Sequence, residues 1–270
     1  MSRAWLPVRG APTLGGMNAS RITLITGGSR GIGRSAALAL ADAGSDVVIT
    51  YRSEADAAAA VVADVASRGR TAVALQLDTS DPDSFPAFAE RLRDALSETW
   101  GRDGFDALVN NAGFAGVTTL GAIDRATIDA LVAVHFTGVV LLTQQLAPVL
   151  VDGGAILNVS TGLTRFIANP TASVYSAMKG AIEVWTKYLA QELGPRGIRV
   201  NAIAPGATAT DFSGGAVRDN ARLRAALDAT VALGRVGEPD DIGATVAGIL
   251  DPRMSWVTGQ RIEASGGQRL

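Results

Sequence analysis

Four glycines fall within seven residues, at Gly27, Gly28, Gly31 and Gly33. They stand directly after the apolar run Ile22–Thr26 and directly before the alanine-rich stretch Arg34–Ala43. Glycine lets a backbone turn tightly and approach another group with no Cβ in the way. A helix that starts from such a turn offers unpaired N–H groups and a partial positive charge, which suit an anion such as a diphosphate. A strand, a glycine turn and a helix in that order point to an α/β chain, and the remaining pattern agrees.

Apolar strand-like runs follow at Asp46–Thr50, Thr71–Leu77, Asp106–Asn110, Ala155–Val159, Ile198–Ile203 and Gln260–Glu263. Helical stretches alternate with them at Glu54–Ser67, Asp83–Thr99, about Asp124–Leu150, Val174–Leu193, Phe212–Thr230 and Glu238–Leu250. Gly44 stands as a C-cap glycine, and Gly194 and Pro195 close the Val174–Leu193 helix. Alternation of this kind predicts a parallel sheet of about seven strands covered by helices on both faces. With no repeat or linker dividing the chain, residues 21–270 read as one domain and 1–20 as a flexible N-terminal extension, with Met17 as a candidate start.

Composition narrows the functions. The net charge is -2 and no long basic run is present, which argues against nucleic acid. There is no cysteine, so thiolate metal sites and disulfides are excluded and a cytoplasmic, reducing compartment is expected. His135 is the one histidine, which rules out a multi-histidine zinc site, and no metal is expected. The longest apolar run, Val132–Leu142, is interrupted by His135 and Thr137, so no membrane span is expected.

The glycine turn has the spacing T-G-x-x-x-G-x-G over Thr26–Gly33 rather than G-x-G-x-x-G. Further motifs follow in order: Asn110-Asn111-Ala112-Gly113, Tyr175-Ser176-Ala177-Met178-Lys179, Asn201-Ala202-Ile203-Ala204-Pro205-Gly206, Gly234-Arg235-Val236-Gly237-Glu238-Pro239 and Val257-Thr258-Gly259-Gln260. In this ordered set the chain resembles the short-chain dehydrogenase/reductase family over about Arg21–Gly267, in particular its 3-oxoacyl-carrier-protein reductase-like members. The resemblance implies a single-domain, doubly wound Rossmann-type sheet, a nicotinamide cofactor, and a homodimer or homotetramer.

For the cofactor, Gly27, Ser29, Arg30, Gly31, Ile32 and Gly33 form the expected phosphate cradle. An acid at the end of the second strand would favour NAD by bonding the ribose 2′-hydroxyl. Here Arg52 stands instead, with Arg30 nearby in the turn, and both suit a 2′-phosphate. NADP(H) is therefore expected, with NAD(H) as the alternative. The resemblance places Asp78 and Thr79 at the adenine, Asn110, Ala112 and Gly113 along the ribose side mainly through backbone contacts, and Pro205, Gly206, Thr208 and Thr210 toward the nicotinamide. A turn role for Asp78 and a capping role for Thr210 remain open.

Tyr175 and Lys179 are four residues apart, so a helix sets them on one face. The chain holds three tyrosines and only two lysines, which makes the pairing pointed. A nearby ammonium favours a phenolate. By resemblance, Tyr175 is the general acid in carbonyl reduction and the general base in alcohol oxidation, while Lys179 assists it and holds the nicotinamide ribose. A hydroxyl should also steady the substrate oxygen. The family's serine position falls on Thr161, with one extra residue before Tyr175, or on the neighbouring Ser160. His135 replaces the family's asparagine, serving either a water-linked proton relay or as a buried helix histidine.

The substrate is expected to be a small carbonyl or alcohol compound, covered by the glycine-containing segment Thr210–Thr230 acting as a mobile lid. The other wall is Ser160–Pro170, with apolar Leu163, Phe166 and Ile167 and with Arg165 as a candidate partner for an acidic group. An NADP-dependent carbonyl reductase or alcohol dehydrogenase is the first reading. A cofactor-binding homologue with weak or no catalysis, motivated by Thr161 and His135, is the second. A different reaction on the same fold, such as epimerisation or dehydration, is the third.

Overall fold

Seven strands pair side by side in a computed structural model that describes residues 20–270. The expected N-terminal extension, apart from Ser20, lies outside the described residues, as does Met17. The strands are β1 (Ile22–Ile25), β2 (Asp46–Tyr51), β3 (Ala72–Gln76), β4 (Phe105–Asn110), β5 (Leu150–Val159), β6 (Arg199–Pro205) and β7 (Arg261–Ala264). Their order is β3-β2-β1-β4-β5-β6-β7, and every pairing is parallel. β1 and β6 are buried along their whole length, as a sheet covered on both faces requires.

One face is covered by α1 (Gly31–Asp42), α2 (Ala55–Ala66) and α9 (Pro239–Leu250), through side chains such as Leu40, Val61 and Val246. The other face is covered by α3 (Phe85–Trp100), α5 (Gly138–Leu146) and α6 (Ser173–Leu193), through Phe88, Leu92, Leu142, Leu146 and Leu189. The chain winds outward from β1 in one direction and from β4 in the other. The topological switch between these two neighbours opens a crevice at their carboxyl ends, where ligands of such sheets bind.

Several boundaries differ from the sequence reading. The expected helix over Asp124–Leu150 is α4 (Arg125–Val132), a π-helical segment Ala133–Thr137, and α5, ending at Leu146. The path is tight at Gly138, where a Cβ would lie 2.0 Å from the Thr79 carbonyl oxygen. Over Arg125–Leu146 an 18-residue window has a mean hydropathy of 1.8, long and apolar enough to cross a membrane by length and composition. Here the stretch is tied into the fold instead: Leu131, Leu142 and Leu146 are buried, and buried Thr143 accepts a hydrogen bond from Asn110.

Strand β5 starts at Leu150 rather than Ala155, because Gly153 takes a positive φ and the register with β4 shifts there, hiding the start from a periodicity reading. Helix α6 runs to Leu193, but the left-handed residue that ends the turn is Gly197, not Gly194. The expected helix Phe212–Thr230 breaks up. Ser213, Gly214 and Gly215 all have positive φ, so only α7 (Ala216–Asp219) and α8 (Ala221–Asp228), capped by Asn220, are helical.

Helices α1 and α9 cross closely at Gly243. A Cβ there would stand 2.4 Å from Ser35 Oγ and 2.7 Å from the Ser35 carbonyl group. Overpacking a tight contact costs about 1–3 kcal/mol. Gly243→Ala should therefore lower the thermal midpoint by several degrees. An unchanged midpoint in circular-dichroism melting would contradict this contact.

Candidate active site

The glycine turn is held by the loop that follows β4. Thr26 Oγ1 accepts hydrogen bonds from the N–H groups of Asn111 (2.9 Å) and Ala112 (3.0 Å). Asn111 Nδ2 donates back to the carbonyls of Thr26 and Gly27. The fit leaves no room for side chains: a Cβ on Gly33 would sit 2.3 Å from the Gly27 carbonyl oxygen. Arg30 is the N-cap residue of α1 yet gives no side-chain cap, and the first turn of α1 holds no acid. Its leading N–H groups therefore open into a cleft of about 900 Å³, lined here by Gly27, Ser29, Arg30, Gly31, Ile32 and Gly33. Uncapped N–H groups, a helix dipole and a guanidinium suit a bound anion, worth about 0.3–1 kcal/mol from the dipole alone. The donor set fits a dinucleotide diphosphate.

Arg52 and Asp78 line the far end of this cleft, together with Thr79. One Asp78 oxygen accepts from both the backbone N–H and the hydroxyl of Ser80. Burial would raise the Asp78 pKa, but the Ser80 hydrogen bonds and the nearby Arg52 charge outweigh it and the pKa is lowered. The turn role and a place on the cleft wall thus coexist.

Asn110, expected along the ribose side mainly through its backbone, is not among the residues lining this cleft. Its side chain is buried beneath the sheet end, donating to Thr143 Oγ1 (3.0 Å) and Asn158 Oδ1 (2.8 Å). Asn111, Ala112 and Gly113 form the cleft wall instead. Side chains alternate between faces along a strand, so Asn110 shares with Leu108 the face covered by α5 and α6. On the opposite wall, Pro205 ends β6 and Gly206, Thr208 and Thr210 follow it. Thr208 donates to the Gly206 carbonyl, while Thr210 accepts from the Phe212 N–H and packs across from Gly31.

Tyr175 and Lys179 lie on one face of α6 at the floor of the cleft, 8% and 4% exposed. Lys179 Nζ donates to the Val159 carbonyl at 2.6 Å and stands 5.8 Å from the centre of the Tyr175 ring. Burial raises the phenol's pKa above its usual value, opposed by a hydrogen bond with Thr161. Burial also pushes Lys179 down to about 8. The expected shift of the phenol toward phenolate is therefore absent in this arrangement, because desolvation dominates and the ammonium bonds a carbonyl rather than the phenol oxygen. Tyr175 is held in its acid form.

The two candidate hydroxyls separate. Thr161 faces the Tyr175 phenol, whereas Ser160 Oγ donates to Glu183 Oε1 at 2.6 Å. His135 is fully buried in the π-helical segment, a position where such distortions aim side chains into sites. Its Nε2 meets the Phe114 carbonyl at 2.8 Å, its Nδ1 has no partner among the described residues, and its ring meets the Tyr175 ring edge-on at 5.1 Å. Burial first, and the Lys179 charge second, lower its pKa to about 3, so it is neutral.

At the outer end, Leu163 and Phe166 line the cleft as expected, while Ile167 turns to solvent. Arg165 is not free to bind an acidic group. Its guanidinium bonds Glu263 at 2.6 Å, the Gln268 and Arg269 carbonyls, and the face of Phe166. Glu183 and Arg261 were not singled out from sequence. Arg261 binds Glu183 at 2.8 Å and the Thr161 carbonyl, steadying the Ser160–Thr164 loop. Glu183 carried a faint signal, since it continues the Tyr175, Lys179 face at the next i+4 position. Arg261 carried none, being 78 residues away.

A doubly wound sheet with an anion cradle at its switch point, leading to a buried Tyr–Lys pair, defines a Rossmann-type oxidoreductase. A family model described as Enoyl-(Acyl carrier protein) reductase matches residues 27–269. The chain is 34% identical over 251 residues to a 3-oxoacyl-[acyl-carrier-protein] reductase of Synechocystis, covering 92% of this chain and 96% of that one. Among solved structures it is similar to the promiscuous reductase LugOII, which catalyses keto-reduction at C1 in lugdunomycin biosynthesis (36% identity, 93% and 98% coverage, TM-score 0.87). It is also similar to a short-chain dehydrogenase from Burkholderia cenocepacia in complex with NADP (38% identity, 92% and 97% coverage, TM-score 0.83). The chain belongs to the short-chain dehydrogenase/reductase family.

The buried neutral histidine has a consequence for acid stability. Between pH 6.5 and about 3 the unfolded chain protonates His135 and the folded chain does not, so stability falls as pH drops through that window. His135→Asn, which cannot titrate, should show a flatter stability curve from pH 6 to 4 in urea unfolding. Parallel wild-type and variant curves would contradict the neutral state.

Proposed function

We propose that residues 21–270 form one catalytic domain that reduces a ketone or aldehyde with NADPH, or oxidises the corresponding alcohol. The observation that carries this reading is the buried Tyr175–Thr161 hydroxyl pair beside Lys179, in one cleft with the uncapped start of α1. When bound, the dinucleotide supplies a hydride to the carbonyl carbon.

The chain's own residues manage the oxygen and the proton. Tyr175, protonated in the folded protein, donates its phenolic proton to the carbonyl oxygen as negative charge builds there. Thr161 donates a second hydrogen bond to that oxygen as a neutral group. Lys179 holds the ribose beside the reacting centre and stabilises the phenolate left after proton transfer. His135, neutral and edge-on to Tyr175, keeps the phenol ring in place. Ser160 serves Glu183 rather than substrate.

Arg30 and Arg52 at the nucleotide end, with no acid at the end of β2, support a preference for NADP(H) over NAD(H). The NADP complex of the Burkholderia relative supports the same choice. Asp78, Thr79, Ala112 and Gly113 border the adenosine and ribose, and Pro205, Gly206, Thr208 and Thr210 border the nicotinamide. The proposed setting is the cytoplasm. Exposed Leu141, Val184 and Tyr188 on α5 and α6 support a homodimer or homotetramer that covers these helices.

Tyr175→Phe should reduce kcat by about a hundredfold or more while leaving NADPH affinity nearly unchanged. Retained turnover, followed by NADPH absorbance, would refute the proton-donor role. The competing reading, a cofactor-binding homologue without catalysis, expects tight NADPH binding and no reduction even in the unaltered protein. Arg52→Asp should weaken NADPH relative to NADH by about tenfold or more. An unchanged ratio of the two dissociation constants would remove Arg52 from cofactor choice.

A further inference from the structure

The substrate end of the cleft is built from rings. Phe114, on the loop after β4, meets the His135 ring at 5.4 Å between centres. His135 meets Tyr175 at 5.1 Å, and Tyr175 meets Phe212, after β6, at 5.7 Å. These four rings form an arc in which the phenol stands third, each spacing within the range of favourable aromatic contacts. Its two outer members remain partly open, Phe114 36% and Phe212 42% exposed, although both line the cleft. Leu163 and Leu223 extend the same apolar wall.

Charged residues at that end are few, Asp211 and Lys179. Among the described cleft-lining residues, Arg30 and Arg52 stand at the nucleotide end, and Lys179 lies beneath Tyr175. Asp211 is the acid nearest the arc, and Arg218 pairs with it. Arg165, the cation expected there, is bound to Glu263 and to two carbonyls. A carboxylate or phosphate on the substrate would meet no free counter-charge and would have to shed its water.

We propose that this site selects an uncharged aryl ketone, its ring held between Phe114 and Phe212 and its carbonyl oxygen directed at Tyr175 and Thr161. The inference rests on the reductase reading above and names the substrate class for it. Phe212 is followed by three residues at positive φ, Ser213, Gly214 and Gly215, so a short left-handed bend sets its position. A non-glycine residue at positive φ is strained. The bend lets Phe212 pack on Tyr175 without a regular helix behind it.

The test uses the full chain with NADPH and three ketones: 1-tetralone (aryl, uncharged), cyclohexanone (aliphatic, uncharged) and acetoacetate (aliphatic, anionic). The expected result is a kcat/KM for 1-tetralone about tenfold or more above either other ketone. That preference should collapse in Phe212→Leu and in Phe114→Leu, with NADPH binding by fluorescence reporting that both variants are folded. Equal or better use of cyclohexanone or acetoacetate overturns the aryl-ketone inference while leaving the reductase reading intact. Preference for 1-tetralone that survives both substitutions overturns the role of the two rings. Binding of NADPH with no ketone reduced removes the reductase reading itself, and this inference with it.

Discussion

The hydrogen bonds between Thr26 and the loop after β4 tie together everything that acts in this protein. One hydroxyl accepts from two successive backbone N–H groups, and Asn111 returns two bonds to the glycine turn. Those contacts join the ends of β1 and β4 where the strand order reverses. The same clamp holds the start of α1 open toward the cleft and sets the Ala112–Phe114 wall opposite Tyr175. It works only because glycine occupies 27 and 33, where side chains would strike backbone or Asn111 at well under 3.5 Å. A loss here would disturb nucleotide and substrate ends together.

A second polar system supports the chemistry from behind. Asn110, Thr143, Asn158 and Thr186 form a buried chain of hydrogen bonds across β4, β5, α5 and α6. Arg261 and Glu183 do the same for the loop that carries Thr161. Buried polar groups are costly when unpaired, so such chains specify one arrangement of the helices against the sheet. The result is that α6 presents Tyr175 and Lys179 at a fixed depth. That depth carries a chemical cost, since desolvation keeps the phenol protonated and lowers the lysine toward neutrality.

Substitution of the two usual family residues fits this environment. Threonine at 161 keeps a hydroxyl beside the phenol, where it also accepts a hydrogen bond from the Leu163 N–H, while Glu183 is engaged by Ser160. Histidine at 135 is held neutral, its Nε2 at the Phe114 carbonyl, so it adds a ring to the aromatic arc without adding a charge. Together they make a site whose substrate end is apolar, beside a nucleotide end that is cationic.

Local chemistry carried much of this in the sequence itself. Strand–helix alternation, the glycine turn, the Tyr175–Lys179 spacing and the arginine at 52 depend on periods of two or 3.6 residues and on single side chains, and each is legible in one dimension. What required the folded chain were the relations between distant segments. Asn110 turned into the sheet while Asn111 took the cleft wall, and Thr161 parted from Ser160 because Glu183 claimed the serine. Arg165 was lost to Glu263 across nearly one hundred positions of sequence. The ends of α5, β5 and α6, and the broken helix after Phe212, also waited on tertiary contacts. A hydrogen-bond partner, a burial and the pKa shift it causes are set by what packs against a residue, and only the complete fold decides that.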